Sequence, residues 1–141
     1  MLFRSRVYLA GAGGAANAIA FGLAEAGVAH ITISNRTVSR ADDLRTRLAT
    51  SFPTLSVRLA TDPTNHSLAI NATSLGMHPN DPMPIDVGNL DADAIVAEII
   101  MKPEVTPVLA AARALGLRIH FGKPMLTCQI ELMAKFLGID T

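Results

Sequence analysis

Apolar and polar residues alternate along this chain in short blocks. Val7 to Ala10 is an apolar run that stops at Gly11, Ala12, Gly13 and Gly14. An alanine-rich stretch follows, Asn17 to Ala26, with Ile19, Ala20 and Leu23 on one helical face and Gly27 at its end. The β-branched run His30 to Ser34 predicts a second strand. Ser39 and Asp42 have the spacing of a capping box, and Ala41, Leu44, Leu48 and Phe52 form the stripe of a second helix that Pro53 ends. Leu55 to Leu59 predicts a third strand, Thr61 to Asn65 a turn-rich connection too short for a full helix, and Leu68 to Asn71 a fourth strand. His78 to Asp93, rich in Pro, Asp and Asn, reads as a loop, and Ala94 to Ile100 as a fifth strand buried on both faces. Thr106 and Pro107 start a helix that Gly116 closes after Leu115, Arg118 to Phe121 gives a sixth strand, and a last helix is expected from about Met125 to Leu137, with Gly138 as its stop. The alternation predicts an α/β protein with a doubly wound, mostly parallel six-stranded sheet in a single domain.

The turn after the first strand carries the first chemistry. Gly11-Ala12-Gly13-x-x-Ala16, between a strand and a helix and with a second strand about twenty residues on, has the form of a Rossmann-like dinucleotide site. Gly11 permits the tight turn, Gly13 lets backbone approach a pyrophosphate, and Ala16 lets helix and strand pack closely. The free N–H groups at the helix start and the helix dipole both favour negative charge there. The bland alternative is a tight strand-to-helix connection and nothing more.

The end of the second strand carries the next. An Asp or Glu there would take the ribose hydroxyls of NAD and repel a 2′-phosphate. This chain has Asn35, followed by Arg36 and Arg40 within about one helical turn, and guanidinium forks suit a phosphate. The pattern points to NADP. The alternative is that both arginines are solvated charges paired with Asp42 or Asp43.

Composition narrows the partners. At 141 residues the chain suits one domain with a real core. Half the residues are apolar, only 17% are charged, and twelve basic side chains balance twelve acidic ones, which argues against nucleic acid and anionic membrane as partners and for a small molecule. No apolar run has transmembrane length, the first residues lead into a strand, and the lone Cys128 suits a reducing compartment, so a cytoplasmic protein is expected. Asp81, Asp86, Asp91 and Asp93 match no oxygen-ligand loop, and the four histidines show no metal-ligand spacing, so no metal is expected.

Taken together, several motifs in order resemble the C-terminal, NADP-binding domain of the shikimate/quinate dehydrogenase family. They are Gly-Ala-Gly-Gly-Ala-Ala at Gly11 to Ala16, Asn-Arg-Thr at Asn35 to Thr37 with Arg40, Asn-Ala-Thr-Ser at Asn71 to Ser74 with Gly76-Met77, Lys-Pro-x-x-Thr-Pro at Lys102 to Pro107, and Gly-x-x-Met-Leu-x-x-Gln at Gly122 to Gln129. The resemblance spans nearly the whole chain and implies reversible NADP-linked oxidoreduction between a 3-dehydroshikimate-like ketone and shikimate. By the same resemblance Gly13, Gly14 and Ala15 would line the pyrophosphate, and Asn35, Arg36, Thr37 and Arg40 the 2′-phosphate. Thr73, Ser74, Ile99 and Gly122 would border the ribose and nicotinamide, and Gln129 would reach the substrate.

Two departures qualify what the resemblance implies. The family's fifth strand commonly ends Asp-Met-x-Tyr, where this chain has Glu98-Ile99-Ile100-Met101, so a phenol donor is lost and a shikimate-like relative becomes the expected substrate. The family's catalytic Lys and Asp belong to a preceding domain that is absent from this sequence. Reduction of a ketone needs a proton donor at the forming alkoxide. Tyr8 lies in the first strand, and His78 and Lys102 are expected as solvated loop side chains, so no catalytic residue is assigned in this chain. Two readings remain open: the cofactor domain of a shikimate-type dehydrogenase that needs a separate substrate domain, or a non-catalytic NADP-binding or interaction module. The broad apolar surface expected on the last helix, from Met125, Leu126, Leu132, Met133, Phe136 and Leu137, predicts a possible homodimer.

Overall fold

Six short strands form one sheet in the order β3-β2-β1-β4-β5-β6, and every neighbouring pair runs parallel. The structure is a computed structural model that describes residues 5–124. In chain order the elements are β1 (Arg6–Ala10), α1 (Gly14–Glu25), β2 (His30–Ser34), α2 (Val38–Ser51), β3 (Ser56–Leu59), β4 (Leu68–Asn71), a 3-10 turn (Val87–Asn89), β5 (Ile95–Glu98), α3 (Pro107–Ala114) and β6 (Arg118–His120). The expected doubly wound α/β sheet is present, parallel throughout rather than mostly so. The last helix expected from Met125, with Gln129 and the proposed dimer surface, lies outside the described residues.

The core is split by the sheet. On one face the small residues Ala16, Ala20 and Ala24 of α1 and the stripe Ala41, Leu44 and Leu48 of α2 cover Val7, Leu9, Ile31 and Ile33. On the other, Val108, Leu109 and Ala112 of α3 pack with Tyr8, Ala69, Val96 and the loop residues Ile85 and Val87. The loop expected from His78 to Asp93 therefore supplies core residues of its own. Because the chain winds to opposite faces from β1 and β4, the two loops leaving them diverge and open a crevice at the carboxyl edge of the sheet.

Two element starts differ from the sequence reading. Helix α1 begins at Gly14, three residues before the expected Asn17, whose side chain donates to Ala12 O (3.2 Å) and Gly13 O (2.8 Å) and closes the turn beneath the first helical residues. Helix α2 begins at Val38 with Thr37 as N-cap, so the capping box expected at Ser39 and Asp42 does not form; Asp42 is one turn inside and pairs with Arg45. Strand β5 is shorter than expected. Val96 and Glu98 are buried while Ile95 and Ala97 are half-buried, and the backbone N–H of Ile100 is taken by the Glu98 side chain.

The β3–β4 connection has no helix, as its composition predicts, and His66 fills the sheet face in its stead. Its ring is fully buried, edge-on to Tyr8 at 5.6 Å between centroids. Nδ1 lies 3.0 Å from both Pro63 O and Thr64 O, so it must carry the proton, and Nε2 accepts from the Thr32 hydroxyl at 2.8 Å. Burial, above all, and the nearby Arg6 and Arg58 charges push the imidazole below its usual pKa and keep it neutral.

Candidate functional site

Two clefts open at the carboxyl edge of the sheet and share a wall made of Gly13, Ala72, Thr73 and Ser74. The smaller, about 550 Å³, is bounded by Gly11 and Gly13 after β1, by Asn35, Arg36, Thr37 and Arg40 after β2, and by Pro82, Met83 and Pro84. The larger, about 1110 Å³, is bounded by Gly14, Ala15, Met77, the Ile99–Lys102 segment, Phe121 and Gly122. Every site residue named from the sequence lines one cleft or the other, apart from Gln129, which is not among the described residues. Lys102 also lines the larger cleft, whereas His78 is exposed and lines neither.

Three glycines on these walls differ in what they are for. Gly11 has φ +117°, and a Cβ there would stand 2.7 Å from Ala72 O, so the protein's own backbone requires it. Gly122 is equally constrained, since a Cβ would sit 2.5 Å from Ile100 O where the chain after β6 crosses the end of β5. Gly13 is not: a Cβ there would meet nothing within 4 Å. The open space over Gly13 lies at the start of α1, where no side chain caps the first N–H groups and no acidic residue stands in the first turn. That is a cradle for an anionic group, and a pyrophosphate fits it.

The arginines sit at the far end of the smaller cleft. Asp42 pairs with Arg45 and Asp43 with Arg47 at 3.0 Å, so the pairing that would have explained Arg36 and Arg40 as ordinary helix charges is not made. Both side chains are exposed at the cleft and form no ion pair among the described residues. Asn35 donates to Thr37 O at 2.9 Å, fixing the turn that carries them. Across the cleft, Asp81 Oδ2 accepts from the N–H of Gly76 (3.0 Å) and of His78 (3.1 Å), which holds its carboxyl below the usual range and pins the segment that runs on to Pro84.

One group essential to this geometry gave only a faint sequence signal. Glu98, buried with 3% exposure, ends a strand otherwise written Ile95-Val96-Ala97, and a lone carboxylate closing an apolar run was its only mark. It binds the loops after β4 and β5 together, as described below. Asn71, read from the sequence as part of a ligand-facing motif, is fully buried and serves the same network. Thr73 lines both clefts, but its hydroxyl is engaged with Asn71 Oδ1 at 2.6 Å and Leu75 N at 3.0 Å.

The sheet order, the glycine turn at the crevice and the paired clefts define a Rossmann-like fold. The sequence profile for shikimate / quinate 5-dehydrogenase matches residues 1–74. The NADP(+) shikimate dehydrogenase of Nitrobacter winogradskyi is 43% identical over 120 residues, covering 84% of this chain and 43% of that protein. Among solved structures, 5-ketofructose reductase from a Gluconobacter strain superposes with a TM-score of 0.80 at 37% identity, over 89% of this chain and 48% of that one. Quinate dehydrogenase from Corynebacterium glutamicum, in complex with NAD, does so with a TM-score of 0.76 at 29% identity, over 88% and 46%. The chain belongs to the shikimate/quinate dehydrogenase family. It spans under half the length of these relatives. Among its described residues no helix is long and apolar enough to cross a membrane.

Proposed function

We propose that this chain binds NADP(H) as the cofactor domain of a shikimate dehydrogenase-like oxidoreductase. Gly11, Gly13, Gly14 and Ala15 would hold the pyrophosphate, Asn35, Arg36, Thr37 and Arg40 the adenosine 2′-phosphate, and Thr73, Ser74, Ile99 and Gly122 the ribose and nicotinamide. The carrying observation is Arg36 and Arg40 together on the smaller cleft, without the acidic partners their helix offers to Arg45 and Arg47. A 2′-phosphate supplies the missing negative charge. The bound nicotinamide supplies hydride transfer; the chain's own residues bind and orient it, and Ile99, Met101 and Phe121 give that end apolar walls.

The substrate portion of the reaction would come from residues outside this chain, as its share of the relatives' length suggests. A second reading concerns the substrate. Met101 at the larger cleft, where the family commonly has Tyr, together with the likeness to a 5-ketofructose reductase, favours a ketone other than 3-dehydroshikimate. Titration with NADPH and NADH, followed by nicotinamide fluorescence, tests the cofactor reading. Tight NADPH binding, weak NADH binding and a loss of about tenfold or more for NADPH in Arg36→Ala are expected. Binding of neither cofactor overturns the reading and leaves an interaction module in its place.

A further inference from the structure

A buried polar cluster lies beneath the shared wall of the two clefts, and the Glu98 side chain is its centre. Glu98 Oε1 accepts from the backbone N–H of Ile99 at 2.9 Å and of Ile100 at 3.1 Å. Its Oε2 accepts from Asn71 Nδ2 at 2.9 Å and from Thr106 Oγ1 at 2.8 Å. Asn71 in turn donates to Leu75 O at 2.9 Å and accepts from Thr73 N at 3.0 Å. Three segments therefore meet on one side chain: the loop after β4, the loop after β5 and the start of α3.

The chemistry of the four partners calls for a side chain that offers two accepting oxygens. Two are peptide N–H groups and one is an amide NH2, which can only donate, so both oxygens of residue 98 must accept. Glutamine has the same shape but would turn an NH2 group toward one pair of donors. A carboxylate buried among neutral donors is costly to desolvate, and a sheet interior would pack as well around an apolar residue. The arrangement is explained by what it holds: Thr73 and Ser74 on one loop line both clefts, and Ile99 to Met101 on the other line the larger alone.

We propose that Glu98 is a positioning residue that sets the spacing of these walls and so orders the nicotinamide end of the bound cofactor far more than the adenosine end, whose Arg36 and Arg40 its hydrogen bonds do not reach. This rests on the NADP(H) reading above, and the test separates the two. The 141-residue chain and its Glu98→Gln variant are titrated with NADPH and with adenosine 2′,5′-bisphosphate, which reports the adenosine end alone. Glu98→Gln is expected to weaken NADPH about tenfold and to diminish the fluorescence change of the bound nicotinamide, with the bisphosphate affected less than about twofold.

Thr106→Val and Thr106→Ser serve where the glutamine variant does not fold. Removing the hydroxyl is expected to weaken NADPH about threefold and retaining it in serine to restore the wild-type value, as loss of one hydrogen bond of the network predicts. Unchanged NADPH binding in Glu98→Gln, equal losses for both ligands, or a serine variant that behaves like valine overturns the proposal. A wild-type chain that takes up neither ligand overturns the cofactor reading itself, and the role of Glu98 with it.

Discussion

The two clefts share a wall yet are made in different ways. The smaller is the more polar of the two and comes largely from two stretches of chain, Gly11–Gly13 and Asn35–Arg40, each fixed by short-range contacts such as Asn17 on the carbonyls of Ala12 and Gly13 or Asn35 on Thr37 O. The larger is mostly apolar and is assembled from the ends of β4, β5 and β6, which meet only because Glu98, Asn71 and Thr106 draw them together and because Gly122 lets the chain cross Ile99 and Ile100 without a Cβ. Recognition of a charged group needs a few side chains on a stiff local turn. Holding a planar ring between walls needs long-range spacing, and that spacing is carried by buried hydrogen bonds.

The largest effect expected from breaking this design is structural. Gly11→Ala puts an L side chain at φ +117° with its Cβ 2.7 Å from Ala72 O, at the junction of both clefts. Strain and clash together should cost about 3 kcal/mol, read as a fall of about 10 °C in melting temperature. A variant as stable as wild type would show that the Gly11–Ala72 contact can relax and that the shared wall is softer than argued.

Next in size is the charged end of the smaller cleft. Arg36→Ala with Arg40→Ala should raise the Kd for NADPH about 100-fold while leaving NADH within about threefold, since charge-assisted bonds to the 2′-phosphate are worth about 1.5–3 kcal/mol each and are not fully additive. Equal losses for the two cofactors would move the arginines from phosphate recognition to general electrostatic attraction.

Gly13→Ala sharpens the contrast between glycines. Its Cβ meets no protein atom within 4 Å and its φ of −84° suits any residue, so stability should change by less than about 0.5 kcal/mol. NADPH should nevertheless bind about tenfold more weakly, because the methyl would occupy the cradle where the pyrophosphate rests. A methyl that leaves affinity unchanged would mean that the phosphates lie further from the turn.

How much of this was legible in the sequence follows from the same contrast. The glycine turn, Asn35, Arg36 and Arg40 are each a few residues apart, so the sequence places them together before any fold is known. The six-stranded doubly wound sheet was readable too, because its strands are short β-branched or apolar runs set between helical stripes. Thr106 and Pro107 likewise marked the start of α3, which Thr106 caps, but the starts of α1 and α2 were not legible. Asn17 and Ser39 look like or sit near caps, but backbone geometry at Gly13 and Thr37 decides the first turn, and neither uses a side-chain cap. Glu98 is nearly invisible in the sequence, because its four donors come from positions 71, 99, 100 and 106 and no local pattern links them. The aspartates of the 78–93 loop match no ligand pattern in the sequence, and their structural work is visible only in the fold, where Asp81 pins two backbone N–H groups and Asp86 accepts from Asn89.

The smallest expected effect lies away from both clefts, at the sheet face filled by His66, and it tests whether that plug is as specific as the clefts. Its neutral ring donates from Nδ1 and accepts at Nε2 from Thr32, whose oxygen also receives Arg58 Nε at 3.3 Å. A proton on Nε2 would face the Thr32 hydroxyl hydrogen, in a buried place beside Arg6 and Arg58. The folded-state pKa therefore lies below the unfolded value of 6.5, and the unfolded chain binds more protons between those two values. Stability contributed by His66 is complete above pH 6.5, falls as pH drops through that value, and levels off beneath the folded pKa. Asp62 and Asp81, both held below 3.8, lose their contributions only in more acidic solution, so the two windows separate. Urea unfolding at a series of pH values between 7.5 and 5 should show this decline in the wild type and a flatter profile in His66→Asn, whatever stability the variant has lost overall. Parallel profiles would mean that His66 titrates alike in both states, and that this sheet face is wetter than its full burial implies.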